Sequence, residues 1–246
     1  ETLGRTSWGM AGTKFFDFNN DGRLDLYIVD MHSDMWVRFD SDLLNTGDKR
    51  KFQYVAGPKA NDDAGPLGTW EKWYADSFQI QYDEVIFGNT LFKNLGAAEF
   101  EEISDNANME TFWPWGIATG DFDNDGHEDV YLPSGMGYPY FYWHNYLMMN
   151  NGDETFTDRS ATNGLEPPAR GIYLEEKVEG KQAPRSSRCA ATADFDSDGR
   201  LEIIVNDIYD HPYYYKNRFP RKNYVAFRLR GTKSNLDAIG AVYEYT

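Results

Sequence analysis

Three short acidic segments carry oxygen-bearing side chains at a spacing that suits a hard metal ion. They start at Asp17, Asp121 and Asp194 and run for nine residues each, and we name them loops 1, 2 and 3. Each has Asp, Asn or Glu at positions 1, 3, 5 and 9, and Gly at position 6. A Ca²⁺ ion takes about six to eight oxygen ligands, and alternate positions of a tight loop can direct oxygens at one point. The segments therefore predict metal binding.

The repetition favours bound ions over the alternative, an acidic β-turn without an ion. Clustered carboxylates without a cation would repel one another and raise their own pKa values. We predict three Ca²⁺ sites, each with side-chain ligands at positions 1, 3, 5 and 9 and a backbone carbonyl at position 7. The predicted ligands are Asp17, Asn19, Asp21, Arg23 and Asp25 in loop 1; Asp121, Asp123, Asp125, His127 and Asp129 in loop 2; and Asp194, Asp196, Asp198, Arg200 and Glu202 in loop 3. Because Ca²⁺ prefers oxygen, the ring of His127 is expected to point to solvent.

These loops are not EF-hands, which need a bidentate Glu at position 12 between two helices. Position 12 is Ile28, Leu132 or Val205. β-Branched and aromatic runs follow each loop, and small or apolar residues precede it, so each loop is predicted to join two strands.

Further matches extend the repeat beyond the loops. Residues 91–96 and 147–152 share a pattern that predicts a strand, an Asn-Gly turn and a second strand. Pro139 and Pro212 lie equally far from the start of their loops, which predicts that the aromatic runs after them are equivalent. Each unit therefore holds about four short strands, the content of one propeller blade.

The interval between loops 1 and 2 is roughly 31 residues longer than the interval between loops 2 and 3. We place the extra residues between Leu43 and Asp83, a polar stretch that contains Gly and Pro. Long loops of this kind often carry function, so Trp70 and Trp73 are candidates for a contact with a partner.

The loops resemble the FG-GAP/VCBS repeat family, which is similar to the calcium-bearing blades of the integrin α-chain propeller. The resemblance spans about residues 5–217, with Asn19 and Glu202 as departures from the family's Asp. It implies an all-β fold of β-propeller blades, with an incomplete ring in this chain and calcium loops between strands. Either a protein partner or the remaining part of the same propeller is expected to complete the ring, pairing with an exposed edge near residues 1–15.

The tail is similar to the opening of the ASPIC/UnbV domain, which follows such repeats in the cartilage acidic protein-like family. The residues that carry this likeness run from Leu229-Arg230-Gly231-Thr232 to Ala238-Ile239-Gly240-Ala241. We predict propeller blades over residues 1–220 and the beginning of an ASPIC/UnbV-like domain over residues 221–246. The combination implies a secreted, extracellular or periplasmic, calcium-binding protein.

The composition of the chain argues against several classes of partner. The net charge is −16. This charge disfavours nucleic acid as a partner, because a protein that binds nucleic acid needs a basic face. No apolar run approaches the roughly 18 residues of a spanning helix, so no membrane span is predicted. The single cysteine, Cys189, excludes an internal disulfide framework and is expected to be a buried apolar filler.

Three functions are compatible with the sequence. The first is a non-catalytic, calcium-binding extracellular propeller that acts as a structural or protein-interaction module. The second is an enzyme on a propeller scaffold, for which no recognisable catalytic motif is found in the sequence. The third is a carbohydrate-binding module that stacks a glycan on surface aromatics. The first is the favoured interpretation.

Overall fold

The computed structural model is an all-β chain with almost no helix among the residues that it describes. These are residues 2–4, 6–7, 9–31, 85–86, 88–135, 144–165, 167, 171–172, 182–183, 185–208, 210–225, 227–233, 235–238 and 241. The strands are β1 (Thr6–Ser7), β2 (Met10–Phe16), β3 (Asp25–Asp30), β4 (Val85–Ile86), β5 (Thr90–Gly96), β6 (Glu99–Glu102), β7 (Ala118–Gly120), β8 (Asp129–Leu132), β9 (Tyr146–Asn150), β10 (Phe156–Asp158), β11 (Gly171–Ile172), β12 (Gln182–Ala183), β13 (Ser187–Ala193), β14 (Glu202–Asp207) and β15 (Tyr213–Tyr215). One short helix, α1 (Ser160–Asn163), follows β10.

Three antiparallel sheets make up most of the fold. Sheet 1 has the order β2-β3-β5-β6, sheet 2 runs β7-β8-β9-β10, and sheet 3 runs β13-β14-β15. Two small pairs accompany them, parallel β1-β4 and antiparallel β11-β12. Sheets 1 and 2 therefore have the four strands predicted for a repeat unit.

Loops 1, 2 and 3 join the first strand of each sheet to the second, as predicted. The second strands β3 and β8 are buried along their whole length, which explains their nearly continuous apolar sequences. They start at Asp25 and Asp129, the ninth positions of loops 1 and 2.

Sheets 1, 2 and 3 pack face to face in chain order. Side chains alternate along each second strand, so a strand can contribute to the cores on both sides of its sheet. Tyr27 and Val29 of β3 share one apolar core with Val130 and Leu132 of β8. Tyr131, between those two, points the other way and shares a second core with residues of sheet 3. The members from sheet 3 are Ile203 and Val205, with Ala190, Leu201 and Tyr215 packed around them.

The extra residues of the first interval lie between the second and third strands of sheet 1. Strand β3 ends at Asp30 and β5 starts at Thr90, whereas β8 ends at Leu132 and β9 starts at Tyr146. The narrower prediction, an insertion at 43–83 that presents Trp70 and Trp73, lies outside the described residues.

The sequence expectations for the aromatic runs and for Cys189 are wrong. Tyr215 pairs with Ile203 as Met148 pairs with Val130, so β15 corresponds to β9 and not to the aromatic run after Pro139. The equal spacing of Pro139 and Pro212 does not reflect equivalent positions, because the connection before β9 is longer than the connection before β15. Cys189 is exposed and is not a buried filler.

No helix in the described part of the chain is long and apolar enough to cross a membrane.

Candidate metal centre

The three loops share one backbone conformation, which the first Asp of each loop organises. Its carboxylate accepts hydrogen bonds from the N–H groups of positions 5 and 6, at 2.8–3.0 Å. The chain turns tightly here, since position 6 has a φ of +81° in Gly22, +96° in Gly126 and +86° in Gly199. Such values favour glycine, as the sequence predicted. Each first Asp is thereby fixed at the mouth of its loop.

The fifth position of each loop is held in the same way. The N–H groups of Arg23, His127 and Arg200 donate to Oδ1 of the fifth-position Asp, at 2.9, 2.9 and 3.2 Å. Short local bonds of this kind direct side-chain oxygens without long-range packing.

Two of the loops gather three carboxylates around one point. In loop 2 these belong to Asp121, Asp123 and Asp125, and in loop 3 to Asp194, Asp196 and Glu202, with ligand atoms within 4.8 Å of one another in each group. Among the described residues, loop 1 forms no such group of acidic side chains, since its third position is Asn19. The donors are all oxygen, which suits a hard cation.

The hydrogen bonds of the ninth-position carboxylate differ between loop 3 and loops 1 and 2. Asp25 accepts from the N–H groups of Phe18 and Asn94 (3.2 and 2.7 Å), one at each carboxylate oxygen. Asp129 does the same with Phe122 and Asn150 (2.9 and 2.8 Å). In loops 1 and 2, therefore, this carboxylate ties the loop to the third strand of its own sheet.

Burial raises the pKa of both aspartates. The pKa of Asp129 rises to about 7 and that of Asp25 to about 6, against the bonds from backbone N–H groups, which lower them. Neighbouring loop carboxylates add to the rise. Each therefore gains from a cation that offsets the cost of burying its charge.

Glu202 replaces Asp at the ninth position of loop 3, and its longer side chain leaves one oxygen over. Oε2 accepts from the N–H of Phe195 at 3.0 Å. Oε1 is buried and has no hydrogen-bond partner among the residues that the structure describes. The side chain is fully buried and belongs to the carboxylate group of Asp194 and Asp196.

Basic side chains lie against several of these carboxylates, an arrangement that the loop pattern did not predict. The guanidinium groups of Arg23 and Arg200 pair with the fifth-position aspartates of their own loops, Asp21 and Asp198. The hydrogen bond from Arg200 lowers the pKa of Asp198. The remaining pairs are Lys216 with Asp196 (2.5 Å), Arg221 with Asp198 (3.3 Å) and Lys222 with Asp123 (3.4 Å).

His127 does not simply point to solvent. Its Nδ1 lies 3.1 Å from Nδ2 of Asn20 in loop 1. On its other side the ring covers Gly152, where an added Cβ would lie 2.7 Å from Nε2. The imidazole thus fills the space between loop 1 and the β9-β10 turn, which explains the error of the sequence expectation.

Consecutive loops are bonded to each other through position 4. Asn20 Nδ2 donates to the carbonyl of Gly126 at 2.8 Å, and Asn124 Nδ2 donates to the carbonyl of Gly199 at 3.0 Å. The three loops consequently lie side by side on one acidic edge. The sequence signal for this contact is Asn at position 4 of loops 1 and 2.

A second set of asparagines, in or just after the third strands, bonds the sheets together. Asn150 Nδ2 donates to the carbonyl of Glu128 in its own loop and to that of Phe18 in loop 1, at 3.1 and 2.7 Å. Asn217 Nδ2 does the same with Leu201 and Phe122, at 3.0 and 2.7 Å. Asn94 occupies the equivalent place in sheet 1 and donates to the carbonyl of Leu24 at 2.9 Å.

Comparison with known families finds one match. The model of an FG-GAP-like repeat matches residues 80–132. The matched segment includes β4 to β8. It therefore takes the third and fourth strands of sheet 1 and the first and second strands of sheet 2, together with loop 2. No curated protein matches the chain.

Proposed function

We propose that the chain is a calcium-binding, non-catalytic repeat module in which one ion per loop fixes the acidic edge. The observation that carries the proposal is Oε1 of Glu202. A buried carboxylate oxygen without a donor is costly, and a bound cation removes that cost. Asp194 and Asp196 lie close enough to share the ion.

The chemistry of the donors favours Ca²⁺. Carboxylate and carbonyl oxygens on a flexible loop suit its variable coordination, whereas Mg²⁺ demands near-octahedral geometry and keeps several waters. In loop 2 the ligands would be Asp121, Asp123, Asp125 and Asp129 with the carbonyl of His127. Loops 1 and 3 would use the equivalent positions.

In this proposal the ions act on structure and not on a substrate. An ion in loop 3 would link the start of β14, through Glu202, to the body of the loop. The bond from Asn124 to Gly199 would then pass the added rigidity to loop 2. The stiffened acidic edge presents a fixed surface for a protein partner.

The wider architecture belongs to the same proposal. Three face-to-face antiparallel sheets and the FG-GAP-like match support propeller blades over residues 1–220, with the ring completed by a protein partner or by the remaining part of the same propeller. The tail over residues 221–246 is proposed to begin an ASPIC/UnbV-like domain. A location outside the cytoplasm follows from the supply of calcium there.

The test is thermal melting of the chain, first stripped with chelator and then titrated with Ca²⁺ or Mg²⁺. An ion that binds only the folded state adds about 2.7 kcal/mol per site at a hundredfold excess over Kd. We expect Ca²⁺ to raise the melting temperature well beyond Mg²⁺.

A matched pair of variants assigns the effect to the loops. Asp123→Asn gives loop 2 the side chains of loop 1 at positions 1, 3, 5 and 9, and should reduce the calcium increment. Asp153→Asn, at an exposed position in the β9-β10 turn, should leave the increment unchanged. A melting temperature that does not respond to calcium would show the proposal to be wrong.

A further inference from the structure

We propose that the outer face of sheet 3 binds the loop-1 edge of sheet 1 from a second copy of this chain. We name these the trailing face (Ala193, Phe195, Ser197 and Tyr214) and the leading edge (Gly22, Leu24 and Asn94). The inference rests on a pair of surfaces that already meet twice within the chain, and it does not depend on the bound metal.

The second residue of each loop shows that the described residues leave the trailing face partly exposed. Phe18 and Phe122 are buried, each in the core between its own sheet and the next one. Phe195 occupies the same position in loop 3 and is 50% exposed. The three loops share their local bonds and turn. The difference in exposure therefore comes from the sheets that follow, since sheet 2 covers Phe18 and sheet 3 covers Phe122.

The third strands give an independent sign of the same surface. Leu91 of β5 and Leu147 of β9 are buried between sheets. Tyr214 is the equivalent residue of β15 and is 49% exposed. Its ring meets that of Phe195 edge to face at 5.9 Å between centroids, so the two form one exposed aromatic pair.

The leading edge carries the side chain that covers such a surface elsewhere. Leu201, at position 8 of loop 3, packs with Phe122 and lies so close to Gly120 that an added Cβ would collide with it. Leu24 is the position-8 residue of loop 1 and is 58% exposed. Ala193 stands in sheet 3 where Gly120 stands in sheet 2, and its Cβ would hold Leu24 slightly farther out than Leu201 lies.

Polar groups on the two surfaces complement each other in the same way. Asn150 and Asn217 each donate to the second-position carbonyl of the preceding loop. Asn94 is positioned to donate to the carbonyl of Phe195 in another copy. Ser197, at position 4 with a φ of +58°, is positioned to donate to the carbonyl of Gly22.

The contact would be confined to the loop edge. Deeper on the same side of sheet 1, Leu26, Ile28 and Phe92 already pack with Leu3 and Phe100. Because the trailing face and the leading edge are different surfaces, the association is head-to-tail, and it forms a ring only if the rotation closes.

The experiment measures the mass of the calcium-saturated chain in solution by analytical ultracentrifugation over a wide concentration range. Leu24→Asp blocks the leading edge and Phe195→Asp blocks the trailing face. Each variant alone should lose self-association by at least tenfold in Kd. An equimolar mixture should regain a 1:1 dimer, because it offers one intact surface of each kind.

Leu236→Asp is the matched control, since it adds the same charge at an exposed leucine outside both surfaces and should associate like the parent chain. Melting curves of all variants confirm that they are folded. A parent chain that stays monomeric at all concentrations overturns the proposal. So does a mixture that fails to associate, or a single variant that associates as well as the parent.

Discussion

Replacing Glu202 by Gln separates the cost of its buried charge from its value as a ligand. Gln keeps the shape of the side chain and one oxygen for the N–H of Phe195. Its amide N–H₂ group would take the place of Oε1, among the carboxylates of Asp194 and Asp196. Without calcium, the variant should therefore be more stable than the parent, by on the order of 1 kcal/mol.

With calcium the sign should reverse. A site at a hundredfold excess of ligand over Kd stabilises the fold by about 2.7 kcal/mol. If the loss of one charged ligand weakens Kd tenfold, the same calcium concentration gives about 1.4 kcal/mol. The increment due to calcium should thus fall by about 1.3 kcal/mol in Glu202→Gln.

The assay is chemical unfolding of the parent and the variant, each in chelator and in saturating calcium. Glu101→Gln on β6 is the matched control, because it removes the same charge at an exposed site away from the loops. An equal loss of stability in both conditions, or an unchanged calcium increment, would refute the assignment of Glu202 as a ligand.

Three further predictions concern the loops and the packing of the sheets. Loop 1 should bind calcium most weakly, because its Asn19 leaves three ligand carboxylates, and stepwise chelation followed by calorimetry should empty it first. Asn150→Ala should lower the free energy of unfolding by about 1–3 kcal/mol, because it leaves the Phe18 carbonyl without its donor. Asn94→Ala, at the half-buried equivalent position, should cost less in the same urea titration. Gly116→Ala should cost about 1–3 kcal/mol, since its Cβ would lie 3.0 Å from the carbonyl oxygen of Arg188, and Gly12→Ala, with its nearest atom at 3.4 Å, should be milder.

Local features of the fold were predictable from the sequence. The strands on either side of each loop follow from β-branched and apolar runs, and the glycine at position 6 follows from the turn. The hairpins β5-β6 and β9-β10 follow from their repeated pattern. All of these depend on residues close together in the chain, where spacing and propensity suffice.

Features that depend on a neighbouring sheet were missed or misread. The aromatic run after Pro212 was matched to the wrong part of sheet 2, because the two connections differ in length. Cys189 was expected to be buried, since it lies in a strand of small residues. Its equivalent before loop 2 is Gly116. Gly116 lies against the next sheet, close to Cys189 itself, whereas Cys189 lies on the uncovered side.

Among the loop side chains, too, local arrangements were predictable and long-range contacts were not. Oxygen at alternate positions predicted the gathered carboxylates of loops 2 and 3. The pattern could not predict that Asp25 and Asp129 would tie the loop to the third strand, because their partners Asn94 and Asn150 lie far along the chain. The pairing of Arg200 with Asp198 was missed because position 7 was considered only for its carbonyl.

The number of calcium ions bound per chain shows whether the three loops are metal sites. Calorimetric titration of the calcium-free chain should give three ions per chain, two bound tightly and one, in loop 1, more weakly. In Asp123→Asn, whose loop 2 has the ligand side chains of loop 1, the total should stay at three with one tight and two weaker sites. A parent chain that takes up no calcium would contradict the account of the loops as metal sites.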